Sequence, residues 1–493
     1  MPVDGSPRSP TAHLSRRAFL RGGLGVLTAA ALPSALQGLV SRAAHGGTTR
    51  GGAFGYGEPV EAFDQTTGLP LLRLPPGFVY RTLDWAGDPM SNGQATPGNF
   101  DGMAVVQVLD NRARDLVLIR NHELLIGLPN IGDVIYDGFG AGARRVGGGT
   151  TTLVFRRGEL LSVSPSLGGT IANCAGGPTP WGSWLTCEEG IVDGTGIGAQ
   201  VHGWVFEVPA PSLGAASARP ILDMGCFRHE AAAVDPRTGF VYETEDATGN
   251  SGFYRFVPSD RSARVGALEA GGALAMLAVA GAPQADLREP ALGETHEVEW
   301  VPIADPAALP PEAEGQLIYD GPSACWTQGV EGGGATFRRL EGCWYANGAV
   351  YFVDTTGGAN GDGAIWCYEP PAPGEPGGGR LTAIFVSAES ASGDNPDNVT
   401  VSPRGGLLFC EDRLTSGNRL MGLAPDGTTY PFAVNQIVID GPVPGHPAVA
   451  PGNYTSAEWA GACFDPTGTW LFANNYRPGI TFAISGPWKQ GLL

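Results

Sequence analysis

Asp235-Pro-Arg-Thr-Gly-Phe-Val-Tyr-Glu-Thr-Glu-Asp246 reads as a tight turn, a short strand and an acidic end. Pro236 fixes φ and Gly239 permits positive φ, which tight turns need. Phe240-Val-Tyr242 is aromatic and β-branched, the composition of a strand. The same order recurs down the chain. Asp465-Pro-Thr-Gly468 leads into Trp470-Leu-Phe-Ala473 and ends in Asn474-Asn475. Ser402-Pro-Arg-Gly405 leads into Leu407-Leu-Phe-Cys410 and ends in Glu411-Asp412. Ala346-Asn-Gly348 leads into Val350-Tyr-Phe-Val353 and Asp354. Two further strands, Asp115–Arg120 and Trp184–Cys187, end in Asn121-His122-Glu123 and Glu188-Glu189. Most of these ends lie roughly 55–65 residues apart, somewhat longer than a typical WD blade. The exception runs from Asp246 to Asp354 and holds a low-complexity stretch, Ser259 to Glu314, read as an insertion or elaborated loop.

Six weak repeats predict an all-β fold: a six-bladed β-propeller with loop insertions, one domain over residues 60–493. In that architecture equivalent strands converge on a central channel. Carboxylates far apart in sequence would then gather at one opening. Asp and Asn also terminate strands for purely local reasons, but six in phase favour convergence.

Composition agrees. The 493 residues are 42% hydrophobic and 16% charged, with 76 Gly and 41 Pro, so a large core and many short strands are expected and long helices are not. The net charge of −19 disfavours nucleic acid and anionic membranes as partners. Lys489 is the single lysine, so an anion clamp must use arginine or metal. The 8 cysteines include no CxxC pair, and spacing does not give their pairing. Cys187, Cys367 and Cys410 sit in apolar strands and read as buried thiols. Gly147–Thr150 and Glu331–Gly334 are glycine-rich but match no P-loop and read as turns near the site, with Thr150 a candidate to face it.

The N-terminus reads as an address. Ser15-Arg16-Arg17-Ala18-Phe19-Leu20 precedes a mildly apolar Gly/Ala-rich stretch, with small residues at Ser41, Ala43 and Ala44. This resembles a twin-arginine signal over residues 1–44. It implies passage through the twin-arginine export machinery to the periplasm or beyond, without stable membrane insertion. That route carries folded proteins, often with cofactor in place, which raises the expectation of a metal.

Several blocks then carry a family resemblance. They are Asn173-Cys174-Ala-Gly-Gly177-Pro-Thr-Pro-Trp181-Gly-Ser-Trp184, Phe227-Arg228-His229-Glu230-Ala231, Arg338-Arg339-Leu340-Glu341-Gly342, Asp394-Asn-Pro-Asp397-Asn398 and Glu458-Trp-Ala-Gly461. With Asn121-His122-Glu123 they resemble the motif set of the PhoX-type alkaline phosphatases, in order, from about residue 70 to the C-terminus. The resemblance implies a propeller with a mixed iron and calcium cluster (Fe³⁺ and Ca²⁺) that hydrolyses small phosphoesters at alkaline pH; separately, the chain is expected to be a monomer. It implies Cys174 as a thiolate ligand to iron and Glu230 and Glu341 as carboxylate ligands. It implies Arg339 as the residue that holds phosphate. Asp397, Glu411 and Glu458 are further metal-ligand candidates, followed by Glu123, Glu188 and Glu245. His122 and His229 read as supporting groups. Arg-Leu-Glu replaces the Arg-Pro-Glu of longer members, Arg228 stands where lysine is expected, and Glu411 where Asp is usual. Arginine and lysine are not equivalent beside anions, so metal content and substrate range are less fixed than fold. The implied chemistry is attack on phosphorus by a metal-bridging oxide or hydroxide, with Arg339 and the cations taking up charge and no seryl intermediate. Two other classes remain: a calcium-dependent propeller hydrolase such as a lactonase, needing neither Cys174 nor Arg339, and a non-enzymatic binding propeller.

Overall fold

A computed structural model describes residues 55–110, 114–125, 130–139, 146–318 and 320–493. The twin-arginine stretch and its cleavage region lie outside the described residues. Within them the chain is almost wholly strand and turn, with one α-helix, Ala324–Glu331. Ser323 caps that helix, its Oγ accepting from Trp326 N at 3.0 Å.

The turn chemistry expected of the repeats is present. At Asp465-Pro-Thr-Gly468 the aspartate side chain accepts from the backbone N–H of Thr467 at 2.9 Å and of Thr469 and Trp470 at 2.6 Å. One carboxylate thus satisfies three turn donors and launches the strand Leu471–Asn475.

The arrangement is propeller-like. Six strands lie side by side in a closed cycle: Phe100–Val108, Asn173–Pro178, His229–Val234, Leu340–Ala346, Pro396–Val401 and Trp459–Phe464, the last packing back on the first. Each begins an antiparallel meander that runs outward. Closure pairs an early strand with the last one, because Val79–Trp85 is the outermost strand beside Ile480–Ser485.

Hydrogen bonding does not divide the strands into six equal blades, as the repeats had predicted. Among the described residues four sheets have four or more strands, of four, four, six and nine strands. The physical reason lies at the sheet edges. Thr295–Glu297 pairs with Arg380–Thr382 and fuses two meanders into the nine-stranded sheet. The sheet of Asn173–Pro178, Ser183–Glu188 and Val205–Pro209 stops at three strands. Val60–Ala62 and Leu72–Leu74 extend a four-stranded meander to six.

The segment 259–314, expected to be an insertion, supplies the strands Gly272–Val279 and Thr295–Pro302 to the nine-stranded sheet. The glycine-rich stretches are also not both turns. Gly148–Thr150 begins the strand Gly148–Arg156, and Thr150 is buried with its hydroxyl on Ser166 Oγ at 2.8 Å. Glu331–Gly334 does hold a turn, at Gly332–Gly333, which ends the helix.

Apolar layers fill the spaces between sheets, for example Tyr80, Trp85, Trp459, Phe482 and Ile484, all nearly inaccessible. Sheets covered on both faces explain the near-continuous hydrophobic strands. All eight cysteines are free thiols; seven are buried and Cys174 is partly exposed.

Candidate metal centre

Each of the six inner strands carries a β-bulge at the same level. The ladder skips between Phe100 and Met103, Asn173 and Gly176, His229 and Ala232, Leu340 and Cys343, Pro396 and Val399, and Ala460 and Cys463. The skipped pairs are Asp101-Gly102, Cys174-Ala175, Glu230-Ala231, Glu341-Gly342, Asp397-Asn398 and Gly461-Ala462. A bulge breaks the two-residue alternation and re-aims a side chain. Five bulges therefore place a metal-ligating residue type first and a small or amide residue second.

The second residue matters as much, because neighbouring inner strands nearly touch there. A Cβ on Gly102 would lie 2.6 Å from Ala175 Cα, and one on Gly342 2.7 Å from Asn398 Cα.

Two groups of donors result. Donor atoms of Cys174, Glu189 and Glu230 lie within 4.8 Å of one another, as do those of Glu230, Glu341 and Asp397. Glu230 belongs to both, and neither of its buried oxygens has a hydrogen-bond partner. Asp101 Oδ2 lies 3.7 Å from Cys174 Sγ.

Electrostatics show the strain of so many acids together. Burial, then Glu341, Glu189, Asp397 and Asp101, raise the Glu230 carboxyl well above the usual range. Burial and neighbouring acids likewise raise Asp101, Glu341 and Glu458, and push Glu189 and Asp397 to about 8. The Cys174 thiol is raised by burial and by Asp101, Glu230, Glu189 and Glu123. Buried like charges and an unpartnered carboxylate are costly unless a cation compensates. The residues fit metal on that ground. The all-oxygen group suits a hard cation such as Ca²⁺, and the group with sulfur suits a transition metal better.

Two arginines enter the same region. Arg228 Nη2 lies 2.6 Å from Glu189 Oε1 and 3.2 Å from Asp246 Oδ2. Arg339 donates through Nε and Nη2 to both oxygens of Asp246, at 3.0 and 2.5 Å, and Nη2 lies 3.0 Å from Glu341.

Of the acids singled out in the sequence, Glu230, Glu341 and Asp397 come together, with Cys174 beside them. Glu458 feels Asp412, Asp397, Asp101 and Glu123. Burial raises the Glu123 carboxyl, which is hydrogen-bonded to Tyr476. Like Glu458 and Glu123, three others lie outside both groups, and Glu188 and Glu411 have both oxygens engaged elsewhere while Glu245 has one. Glu188 accepts from the backbone N–H of Ile171, Gly203 and Trp204 and pairs with His202 Nδ1 at 2.6 Å. Glu411 accepts from Arg419 Nε and Nη2 at 2.7 and 2.6 Å and from the N–H of Asp394. Glu245 is bonded to the Tyr254 hydroxyl.

The pattern is a shift by one residue. The ladder partner of the residue before the bulge (Glu188, Glu245, Glu411) pins local backbone or side chains, and the next residue turns inward. Glu189, Asp246 and Asp412 were missed in this way, and Asp101 because it precedes no strand end. The acidic doublets carried a signal, since adjacent residues of a strand face opposite ways. His122 and His229 are buried supports, bonded to Gly98 O and Thr151 Oγ1, and to Gly225 O.

A family model described as "Alkaline phosphatase PhoX" matches residues 54–131 and 145–479. No curated protein matches the chain. Among solved structures, a gluconolactonase from Xanthomonas campestris is 13% identical with a TM-score of 0.36, over 87% of this chain and 95% of that one. A putative gluconolactonase is 13% identical with a TM-score of 0.37, over 87% and 98%. A putative 6-phosphogluconolactonase from Bacteroides uniformis is 12% identical with a TM-score of 0.33, over 84% and 90%.

Proposed function

The chain belongs to the alkaline phosphatase PhoX family, and from that premise we propose that it is an exported, metal-dependent phosphomonoesterase. The observation that carries the reading is Glu230, a buried, unpartnered carboxylate shared by two donor groups, one of which includes a thiol. Cys174, Glu189 and Glu230 would hold iron, and Glu230, Glu341 and Asp397 would hold calcium. Asp101, Asp412, Glu458 and Glu123 would complete the acidic surround. Such cations, when bound, supply Lewis-acid activation of the phosphoryl group and of water.

The chain's own residues have separate tasks. Arg339 is about one-third exposed at the centre and offers a planar guanidinium suited to phosphoryl oxygens. Arg228 is nearly buried beside it. Both stay protonated across the alkaline range, so the anion grip persists where most carboxyls have lost their protons. Glu189 and Asp397, held near 8, must release protons as cations enter, so loading is favoured by alkaline pH.

In this reading the nine-stranded sheet counts as two blades fused at their outer strands and the three-stranded sheet as another, giving six. Residues 1–44 direct twin-arginine export, and the protein acts as a monomer in the periplasm or outside the cell. Among the described residues no helix is long and apolar enough to cross a membrane.

The test is metal analysis of protein exported by its own signal, with p-nitrophenyl phosphate hydrolysis followed across alkaline pH. Iron and calcium with alkaline activity, and loss of iron and activity together in Cys174→Ala, are expected. Hydrolysis by metal-stripped protein overturns the reading. Full activity of Cys174→Ala without iron points instead to a calcium-only propeller hydrolase.

A further inference from the structure

The acids and arginines at the centre alternate in sign along one chain of contacts: Glu189, Arg228, Asp246, Arg339, Glu341. Its ends belong to the two donor groups, and its middle is Asp246, which is fully buried. Resting on the phosphatase reading, we propose that Asp246 is a positioning residue. It holds Arg228 and Arg339 as a pair, oriented for the oxygens of a dianionic phosphoryl group.

The geometry gives Asp246 three holds. Its two oxygens take Arg339 Nε and Nη2, which fixes the plane of that guanidinium. Oδ2 also takes Arg228 Nη2 at 3.2 Å. Its backbone N–H donates to Arg228 O at 3.1 Å, tying the arginine's main chain to the same point. Arg339 Nη1 takes no part in these contacts and remains for an incoming anion. A bidentate, charge-assisted pair of this kind gives orientation as well as energy.

Charge and geometry make opposite predictions for Asp246→Asn, which separates this role from plain electrostatics. The substitution keeps the shape and removes one negative charge beside two arginines. Ground-state attraction for phosphate should therefore hold or increase. The amide cannot accept on both sides, so Arg339 loses its fixed plane and the chemical step should slow.

The experiment compares metal-loaded wild type and Asp246→Asn by three measurements. Phenylglyoxal modification of Arg339 is mapped by peptide mass spectrometry, with the surface Arg288 as internal reference. Inorganic phosphate serves as a competitive inhibitor, and metal content is measured on the same samples. We expect Arg339 to react several-fold faster in the variant, kcat to fall about tenfold or more, and the phosphate inhibition constant not to rise. Unchanged Arg339 reactivity or unchanged kcat overturns the proposal. So does a loss of metal in proportion to kcat, which assigns Asp246 to the cations. Should Asp246→Asn not fold, Asp246→Ser is measured in the same way. In wild type, failure of phosphate to protect Arg339 sinks the anion-site reading itself; the Arg339 reactivity comparison then still decides whether Asp246 holds the arginine.

Discussion

Gly342→Ala is the sharpest perturbation of the centre, because it adds one carbon and removes no ligand. Gly342 is the second residue of the bulge that presents Glu341. A Cβ there would lie 2.7 Å from Asn398 Cα, 2.8 Å from Asp397 O and 2.9 Å from Val399 N. All three are backbone atoms of the neighbouring inner strand, so no side chain can swing away. Ordinary carbon contacts begin at 3.4 Å, so the strands must part by about 0.7 Å. The two strands carry Glu341 and Asp397, whose oxygens share one group with Glu230. Metal–oxygen distances tolerate only about ±0.2 Å, so the all-oxygen group should be disrupted. Overpacking of this size costs about 1–3 kcal/mol, and a misplacement approaching 1 Å costs up to about 10²-fold in rate. Metal stoichiometry, p-nitrophenyl phosphate turnover and a denaturation midpoint read the three effects. Gly441→Ala, where an added Cβ meets nothing within 4 Å, is the control. A Gly342→Ala protein with full metal content and wild-type turnover would refute the claim that inner-strand contact sets the ligand geometry.

Three further outcomes are expected. Glu230→Gln should flatten the pH dependence of stability in cation-free protein. The raised wild-type carboxyl stabilises most below its unfolded pKa, and that stability is lost as pH climbs through the folded value; parallel urea-midpoint profiles from about pH 5 to 9 would contradict this. His202→Gln tests the clamp beneath Glu188. Burial alone lowers the imidazole pKa, but Glu188 and Asp137 outweigh it and hold His202 at about 9. The resulting stability, about 3 kcal/mol, is full below about pH 6.5 and lost as pH rises through the folded value, so the variant's deficit should shrink between about pH 6 and 10; a constant deficit means packing alone. Arg16 and Arg17 changed together to Lys should leave the precursor in the cytoplasm, read by cell fractionation; unimpaired export means another route.

The strands were legible because turn chemistry is local. Asp465-Pro-Thr-Gly468 and Asp235-Pro-Arg-Thr-Gly239 show their function in adjacent residues, since one carboxylate satisfies the turn's own donors. Sheet membership was less legible. Fusion through Thr295–Glu297 and Arg380–Thr382 joins segments far apart in the chain, and no periodicity records an edge-to-edge pairing.

At the centre, the family resemblance carried by the motifs marked Cys174, Glu230, Glu341 and Asp397 as candidate ligands and Arg339 as the candidate to hold phosphate. The motifs did not separate Glu188 from Glu189, Glu245 from Asp246 or Glu411 from Asp412. Which acid turns inward depends on a bulge in the partner strand, and a bulge shifts side-chain direction without changing composition. That the chain is a run of short strands punctuated by Asp/Pro/Gly turns can be read from residue order, because those turns are satisfied by residues two to five positions away. Which oxygens remain unpartnered around Glu230 depends on donors brought in from other strands, so it emerges with the folded chain and not before.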